Sequence, residues 1–382
     1  MKIAYIIPIL GCGGAEVLLG AIIENLHKLG HEVLLICLEP PHTTYQNFPN
    51  RDFIDQVIKP KIINSRVKFS IKSKPLLQND ELKKIIDDFK PDIIHSHLFA
   101  AEIVSRSYIY HGAKYFSHGH DNMPQFRPLS LITFFKRRYL TDYIEFKWLI
   151  QQYRKSNTHF ISISADVDVY LKRCLPTDLA SRVHLIRNGF QYSRYYVDRT
   201  HFTSNDQKLR IVSVGNLVPK KNHAFLIDIA LELRRLNIDF QIDILGYGVL
   251  FDRLMDLIKA NELDDKIFLR GNVGNVRDYL AQANIYVHPA TYEPLGLVLL
   301  EAMAAGLPVV SLDGKGNRDI IEHGKNGFIF TECNSSQFTE AIIQLWKDEK
   351  LYNDISKYAQ NYARQYDIEI YVKRLLELYY SA

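Results

Sequence analysis

The sequence predicts an α/β protein built from two Rossmann-like domains. Short apolar segments alternate with helix-like segments, which is typical of parallel sheets with helices on both faces. The alternation runs twice, because a polar stretch without sustained period interrupts it at residues 192–207. The length of 382 residues points the same way, since it exceeds what one hydrophobic core usually holds.

The first half opens with a strand, a glycine turn and a helix. Residues 2–8 are apolar and rich in Ile, Gly11, Gly13 and Gly14 follow, and residues 15–29 carry apolar side chains at helical spacing. Further strands are predicted at 33–38, 92–95, 113–118, 159–163 and 183–186.

The second half repeats this order after the polar stretch. Its predicted strands are 210–214, 240–245, 267–269, 285–288 and 309–312, with a helix at 223–236 and helical pieces over 335–380. We therefore expect a first domain at 1–191, a linker at 192–207, a second domain at 208–365, and a helix at 366–382 that packs back on the first domain.

Composition excludes several classes of partner. The net charge of +4 is too small to suggest a face that neutralises the many phosphates of a nucleic acid. The four cysteines are scattered, without zinc-ligand or disulfide spacing, which favours a reducing compartment. No window holds the roughly 18 apolar residues that a membrane helix needs. We expect a cytoplasmic protein that at most lies peripherally on the inner face of a membrane.

Residues 134–155 are the candidate for such a peripheral contact. Aromatic and basic side chains alternate there, which suits an amphipathic helix at a membrane surface. A solvated helix with a buried aromatic side fits the same pattern equally well.

The most informative segment is residues 291–309. Pro294 and Gly296 predict a turn that starts a helix, and Gly306 and Pro308 predict its end. The first amides of that helix, at Leu297 and Val298, lack helical acceptors and are suited to a pyrophosphate.

Two glutamates flank this predicted anion site. Glu293 lies before the helix and Glu301 lies in its second turn. Carboxylates repel a bare phosphate, but they accept strong hydrogen bonds from hydroxyl groups, and a sugar diphosphate offers both kinds of group. Taken alone, the two glutamates fit ordinary exposed positions equally well.

A second glycine turn follows the first strand of the second half. Gly215 and Asn216 come after this strand, and Lys220 and Lys221 stand at the entry of the next helix. Adjacent ammonium groups there are suited to a diphosphate leaving group, although exposed lysines are more often simply solvated.

The segment around Glu293 and Glu301 resembles the signature of glycosyltransferase family 4, in which two glutamates separated by seven residues precede Ala-x-Ala-x-Gly-x-Pro-Val. The resemblance implies a GT-B fold with the donor in a cleft between the domains, and transfer with retention of anomeric configuration. It also implies that Glu293 holds sugar hydroxyls and Glu301 the ribose hydroxyls.

Weaker motifs extend the resemblance along the chain. They are Gly13-Gly14-Ala15-Glu16, Asn188-Gly189 before the linker, and the glycine turn of Gly246 and Gly248. Lys221 falls on the family lysine, whereas Asn216 stands where the family usually has arginine. Either Lys220 compensates for that missing charge or the site works with less stabilisation of the leaving group.

Histidines follow a strand of the first half. The family places a histidine near the transferred sugar at this strand end, and strand length favours His120, with His118 as the alternative. We expect no metal there, because no Cys, Asp or His at ligand spacing joins them except Asp121, and we expect His95 and His97 to be structural. Asp166 and Asp168 form an Asp-x-Asp pattern, but we assign them to the first turn of a helix.

The expected function is retaining transfer of a sugar from a nucleotide sugar, with UDP as the expected nucleotide, to a saccharide or lipid-linked acceptor in polysaccharide or lipopolysaccharide synthesis. A nucleotide-sugar epimerase or phosphorylase of the same fold is an alternative, and a non-catalytic sugar-binding relative is another. An NAD-dependent oxidoreductase is the remaining one, because Gly11-Cys12-Gly13 with Glu39 half-matches a dinucleotide fingerprint.

The residues that carry this expectation fall into three groups. The catalytic residues are Glu293, Lys221 and His120. The donor-binding residues are Gly14, Gly215, Asn216, Lys220, Lys221, Gly246, Glu293, Leu295, Gly296, Leu297, Val298 and Glu301. The acceptor-binding residues are Gly13, Gly14, His118 and His120. No metal ligand is expected, and no cofactor beyond the nucleotide sugar as substrate.

Overall fold

A computed structural model describes residues 1–70, 73–126, 137–199 and 208–382 of the chain. These residues form two compact units. The first comprises Met1–Arg187 and Tyr371–Ala382, and the second comprises Asn188–Ile370. The final part of the expected linker, residues 200–207, lies outside the described residues.

A parallel sheet of seven strands forms the centre of the first unit. Its strand order is β3-β2-β1-β6-β7-β8-β9, and a separate antiparallel pair, β4 and β5, lies outside it. The strands of this unit are β1 (Lys2–Ile7), β2 (Glu32–Cys37), β3 (Lys61–Ile62), β4 (Arg66–Ser70), β5 (Ser73–Gln78), β6 (Ile93–His97), β7 (Lys114–Gly119), β8 (His159–Ser162) and β9 (Val183–Leu185).

Helices accompany these strands. Buried side chains of the strands, such as Ile6 and Ile94, form one apolar cluster with Leu82, Ile86 and Ala101 of two helices. The helices of this part of the chain are α1 (Gly14–Lys28), α2 (Arg51–Phe53), α3 (Asp80–Phe89), α4 (Phe99–Ser105), α5 (Arg137–Lys155), α6 (Ala165–Cys174) and α7 (Thr177–Ala180).

The second unit contains a parallel sheet of six strands in the order β12-β11-β10-β13-β14-β15. Its strands are β10 (Leu209–Val214), β11 (Phe240–Leu245), β12 (Ile267–Gly271), β13 (Ile285–His288), β14 (Val309–Leu312) and β15 (Gly327–Phe330). The order reverses between β10 and β13, and in such sheets ligands bind beside the carboxyl ends of the strands at the reversal.

The helices of this second part complete the chain. They are α8 (Tyr192–Tyr195), α9 (Phe225–Arg235), α10 (Phe251–Ala260), α11 (Val276–Gln282), α12 (Leu297–Ala304), α13 (Ser335–Lys347), α14 (Glu349–Ala363) and α15 (Ile368–Ser381). One buried cluster joins the sheet to α9, α10 and α13 through side chains such as Ile242, Leu226, Leu254 and Ile342.

Arg199 fixes the segment that precedes the gap at 200–207. Its guanidinium donates hydrogen bonds to four backbone carbonyl groups, at distances of 2.6 to 2.9 Å. The acceptors are Leu280, Ala281, Ala283 and Ala305. These bonds hold the chain after α8 against the body of the second unit.

The last helical turns belong to the first unit. The hydroxyl groups of Tyr379 on α15 and Tyr5 on β1 lie 2.9 Å apart, and Lys114 donates to the Tyr379 carbonyl at 3.1 Å. Both tyrosines are buried, so their hydroxyl groups need these partners.

The strands expected from the sequence are confirmed within two residues at each end. The sequence pattern missed β3, β4, β5 and β15. β3 is exposed at both residues and lies at a sheet edge, so hydrophobic alternation gives no signal there. No helix in the described ranges is long and apolar enough to cross a bilayer.

The turn after β11 requires glycine at position 246, and we predict that Gly246→Ala destabilises the second unit. A Cβ atom there would lie 2.1 Å from the Gly215 carbonyl oxygen, and φ is +135°. We expect a loss of roughly 3 kcal/mol or more, because overpacking and backbone strain add. Urea unfolding measures it, with Trp346 fluorescence as the probe in a Trp148→Phe background.

Gly271→Ala is the matched control. It has a φ of +69°, but no atom of the described residues lies within 4 Å of the added Cβ, so it should cost only about 1 kcal/mol. Equal losses for the two variants would contradict the steric argument.

Candidate functional site

The loops that follow β10 and β13 meet at one ion pair. Lys221 ends a short 3₁₀ turn, Pro219–Lys221, and its Nζ donates to Oε2 of Glu293. The side chains are 16% and 10% exposed, so the pair is largely withdrawn from water. The structure thus brings together two residues that the sequence singled out separately.

His288, the last residue of β13, joins this pair. Its Nε2 lies 3.1 Å from Oε2 of Glu293, and its Nδ1 lies 3.4 Å from the Tyr286 hydroxyl group. Burial lowers the pKa of His288 despite the opposing effect of Glu293, so the ring is neutral at pH 7 and donates its Nε2–H to the carboxylate. The sequence analysis did not single out His288. It could have been found as the histidine that ends a buried strand just before the segment 291–309.

Electrostatics keep Glu293 ionised. Burial alone would raise the pKa of this carboxyl group, but Lys221 and His288 outweigh burial and lower it to about 2. Both contacts use Oε2, and Oε1 accepts no hydrogen bond within the described part of the chain. Glu293 is therefore a permanent acceptor at neutral pH and is not suited to taking up a proton.

Backbone hydrogen bonds fix the position of Glu293. Its N–H donates to the Gly314 carbonyl at 2.8 Å, and its carbonyl accepts from the Gly316 N–H at 2.9 Å. Thr291 N–H donates to the Lys220 carbonyl at 2.9 Å, which joins the two loops. The carboxylate is thus held by three chain segments, as a preorganised site requires.

Lys220 does not lie at the ion pair. Its exposed Nζ lies 5.3 Å from the centre of the Tyr292 ring, and Lys315 lies 5.7 Å from the same ring. Asn216 is exposed on the turn after β10. The region around Tyr292 therefore carries two further cations beside Lys221.

The helix predicted after the turn is α12. Gly296 precedes it with φ +90°, and Gly306 follows it with φ +74°. Among the described residues, no acceptor takes the N–H of Leu297 or Val298, as expected for the first turn of a helix. The neighbouring Leu295 is buried and anchors the turn.

Glu301 lies on α12 in a different environment from Glu293. Burial raises the pKa of Glu301 to about 7, although the hydroxyl group of Tyr195 donates a hydrogen bond to it and Arg194 lies nearby. Tyr195 lies on α8, in the stretch that the sequence assigned to a polar linker. The run of aromatic residues within that stretch was the feature of the sequence that could have indicated a buried role for Tyr195.

The glycine turns of the second unit lie together. Gly215 N–H donates to the Leu245 carbonyl, and Gly246 N–H donates to the Gly271 carbonyl, at 2.9 and 2.8 Å. The two glycines touch through their backbones. They leave the carboxyl ends of β10 and β11 free of side chains.

The remaining predicted residues belong to the first unit. Gly13 caps α1 and Gly14 is its first residue. A Cβ atom on Gly13 would lie 2.2 Å from Oε2 of Glu16, so the Glu16 carboxylate fills the space beside that glycine. A phosphate beside Gly13 would meet this carboxylate, whereas an acceptor hydroxyl group would find a hydrogen-bond acceptor.

His118 and His120 differ in exposure. His118 lies within β7 and is fully buried, whereas His120 follows the strand and is partly exposed. The structure brings both close to His95 and His97 of β6, and His97 Nδ1 lies 2.8 Å from His120 Nε2. Burial, with the neighbouring histidines, lowers the pKa of His95 and His97 well below the usual range.

The structure also bears on the Asp-x-Asp pattern and on the segment 134–155. Asp166 and Asp168 lie in the first turn of α6, where Ser164 caps the helix, so their assignment to a helix start is confirmed. Helix α5 begins at Arg137, and residues 134–136 of the proposed membrane segment lie outside the described residues.

Two family models together match nearly the whole chain. The model described as Glycosyltransferase Family 4 matches residues 12–194, and the model described as Glycosyl transferases group 1 matches residues 197–362. The chain belongs to glycosyltransferase family 4. The resemblance carried by Glu293 and Glu301 is thereby confirmed.

Related glycosyltransferases align with part of the chain. An uncharacterized glycosyltransferase of Haemophilus influenzae is 30% identical over 42% of this chain and 45% of its own length. The N-acetylgalactosamine-N,N'-diacetylbacillosaminyl-diphospho-undecaprenol 4-alpha-N-acetylgalactosaminyltransferase of Campylobacter jejuni is 32% identical over 41% of this chain and 42% of its own length. The chain thus matches less than half the length of these relatives.

A solved structure matches the full chain. The crystal structure of HepE from Anabaena in complex with UDP and glucose has a TM-score of 0.77 and 19% identity, and the match covers 100% of both chains. This likeness establishes the GT-B fold that the sequence predicted, with two parallel-sheet α/β domains.

The raised pKa of Glu301 predicts a pH-dependent stability difference for Glu301→Gln. The folded chain retains the proton up to about pH 7, whereas an unfolded glutamate loses it near its ordinary value. Wild-type stability is therefore lost as pH rises from about 5 through 7, and the neutral glutamine avoids this loss. We expect the advantage of the variant to grow by on the order of 1–3 kcal/mol over this range in urea unfolding.

Glu340→Gln, at an exposed position of α13, is the control. Its stability difference from wild type should not vary over the same range. A constant difference for Glu301→Gln from pH 5 to 8 would show that Glu301 is not a proton-retaining group.

Proposed function

We propose that this chain is an active glycosyltransferase that moves a sugar from a UDP-sugar to a saccharide or lipid-linked saccharide acceptor, with retention of configuration, in the synthesis of a cell-surface polysaccharide or lipopolysaccharide. The observation that carries the proposal is the Lys221–Glu293 pair beside the start of α12. This part of the second unit combines the ammonium group of Lys221, the ionised carboxylate of Glu293 and the amide donors at the start of α12.

The diphosphate of the donor would be held by Lys221 and the first amides of α12. When a diphosphate takes the ammonium group, Oε2 of Glu293 becomes free to accept from sugar hydroxyls, together with Oε1. Lys221 and these amides stabilise the negative charge that develops as the sugar leaves. Lys220 and Lys315 near Tyr292 would supply the charge that Asn216 lacks.

Glu301 is the proposed ligand of the ribose hydroxyls. A carboxylate accepts two hydroxyl hydrogen bonds at once, and Tyr195 orients it from α8. The high pKa of Glu301 without ligand reflects unfavourable burial of its charge, and hydroxyl donors would relieve that cost.

The acceptor side is proposed from the first unit. His120 is the partly exposed member of the histidine group, and at the start of α1 the Glu16 carboxylate beside Gly13 offers an acceptor to a hydroxyl group. A relative that acts on a diphospho-undecaprenol substrate and a fold neighbour solved with UDP and glucose support the acceptor and donor classes. A lipid-linked acceptor would bring the exposed Arg137 and Arg138 of α5 towards a membrane surface.

We predict that UDP raises the melting temperature of the wild type more than other nucleoside diphosphates. Glu301→Ala should weaken UDP binding about 10- to 100-fold, because a charged hydrogen-bonding partner of the ribose is lost. Glu293→Ala should keep the affinity for UDP within a few-fold of the wild type. It should lower turnover with the UDP-sugar about 10- to 100-fold. Calorimetry with UDP and assays of UDP release over a panel of nucleotide sugars measure these effects.

Glu340→Ala is the matched control for both variants and should behave as wild type. Product analysis with and without a saccharide acceptor separates transfer from epimerisation. Full UDP binding in Glu301→Ala together with full turnover in Glu293→Ala would exclude the assigned donor site.

We also propose that the diphosphate is held without a metal ion. Lys221 and the amides of α12 supply the charge and donors that a divalent cation supplies in other phosphate sites. Turnover should therefore stay unchanged when EDTA is present during the assay, and added Mg²⁺ or Mn²⁺ should not raise it. Loss of activity in EDTA with rescue by Mg²⁺ would reject this assignment.

A further inference from the structure

Three buried histidines of the first unit point their rings into one space. His95 and His97 lie two residues apart on β6 and share a face of the sheet, and His118 pairs with His97 across to β7. All three have no exposed surface. One ring nitrogen from each lies within 4.8 Å of the other two.

His95 and His97 each have a hydrogen-bonding contact at Nδ1, whereas their Nε2 atoms differ in this respect. The Tyr379 hydroxyl group contacts His95 Nδ1, and His120 Nε2 lies 2.8 Å from His97 Nδ1. Within the described parts of the chain, Nε2 of His95 and Nε2 of His97 have no hydrogen-bond partner, although both are buried. A buried polar atom without a partner costs about 1–3 kcal/mol, so two such nitrogens side by side favour a ligand that both can bind.

We propose that His95, His97 and His118 bind a first-row transition-metal ion, with Zn²⁺ as the expected occupant. Imidazole nitrogen is a preferred ligand of this class of ion, and a metal-binding histidine usually has its second nitrogen held by a hydrogen bond. Nitrogens that share a tetrahedral zinc lie about 3.3 Å apart, given Zn–N distances of about 2.0–2.1 Å. Small ring rotations therefore close this set around an ion.

The ion would also position His120. That ring stacks on His118 with centres 4.1 Å apart and an angle of 7° between the planes, and it holds His97. A metal that fixes His97 and His118 thus fixes His120, which is partly exposed. The role is structural, and it is separate from the diphosphate site of the second unit.

The sequence predicted no metal at His118 and His120, because Asp121 was the single further ligand type at suitable spacing. That premise does not hold in the folded chain, because β6 and β7 are neighbours in the sheet. The spacing His-x-His occurs on β6 and at the end of β7, where His120 lies just beyond the strand, and the pairing of the two strands brings these histidines together.

The test begins with untagged protein, since a polyhistidine tag would bind metal itself. Elemental analysis should find about one zinc ion per chain. After removal of the ion by unfolding in chelator and refolding, added Co²⁺ should give visible absorption of a nitrogen-ligated site, and added Zn²⁺ should raise the melting temperature. His97→Ala should lose both signals. His159→Ala, which removes a histidine 3.1 Å from His184 in the same sheet, should keep them.

A conservative pair of variants covers the case in which His97→Ala does not fold. Tyr379→Phe removes the hydroxyl group that holds His95 and should weaken Zn²⁺ binding about 10- to 100-fold. Tyr371→Phe removes another buried hydroxyl group of α15, one that has no hydrogen-bond partner among the described residues, and should leave the affinity unchanged.

Wild-type protein that neither contains nor takes up Zn²⁺ or Co²⁺ would overturn the proposal. Equal affinity in Tyr379→Phe and Tyr371→Phe, or undiminished binding in His97→Ala, would also overturn it. These readouts do not involve glycosyl transfer, so the proposal and the proposed function fail independently.

Discussion

The buried ion pair between Lys221 and Glu293 is the contact on which the second unit's site depends. Two parallel strands, β10 and β13, end side by side at the reversal of strand order, and the loops beyond them carry these residues. A buried charge left alone is strongly destabilising, so each residue requires the other when no ligand is present. In the proposed function, a diphosphate replaces Glu293 as the partner of Lys221, and a sugar hydroxyl replaces Lys221 as the partner of Glu293.

The two glutamates of the signature show how one residue type acquires opposite properties. Lys221 and His288 outweigh burial at Glu293 and hold its pKa at about 2, whereas burial dominates at Glu301 and raises its pKa to about 7. Glu301 has a hydroxyl donor but no cation in direct contact among its described partners. Glu293 is therefore charged throughout the neutral range, and Glu301 is sensitive to whatever hydroxyl groups approach it.

The first unit gathers polar groups by the same geometry. Its strands β6 and β7 end with histidines on one face, and the hydroxyl groups of Tyr5 and Tyr379 lie behind them. Burying so many nitrogen and oxygen atoms is costly unless each has a partner. The Tyr379 hydroxyl group, near the end of α15, is the hydrogen-bonding partner of Tyr5 and His95. These contacts explain why the last turns of α15 belong to the first unit.

The sequence alone determined the two parallel-sheet units and singled out Lys221, Glu293 and Glu301, the residues of the proposed donor site. Apolar periodicity and glycine positions are local signals, so most strands and helix α12 followed from them, whereas the resemblance to the family signature singled out Glu293 and Glu301. The tertiary structure decided what local signals do not encode. His288 joins Glu293, Tyr195 joins Glu301, and His95 and His97 join His118 through contacts between separate strands and loops. Such contacts depend on strand order and burial, and these also set the charge of each side chain.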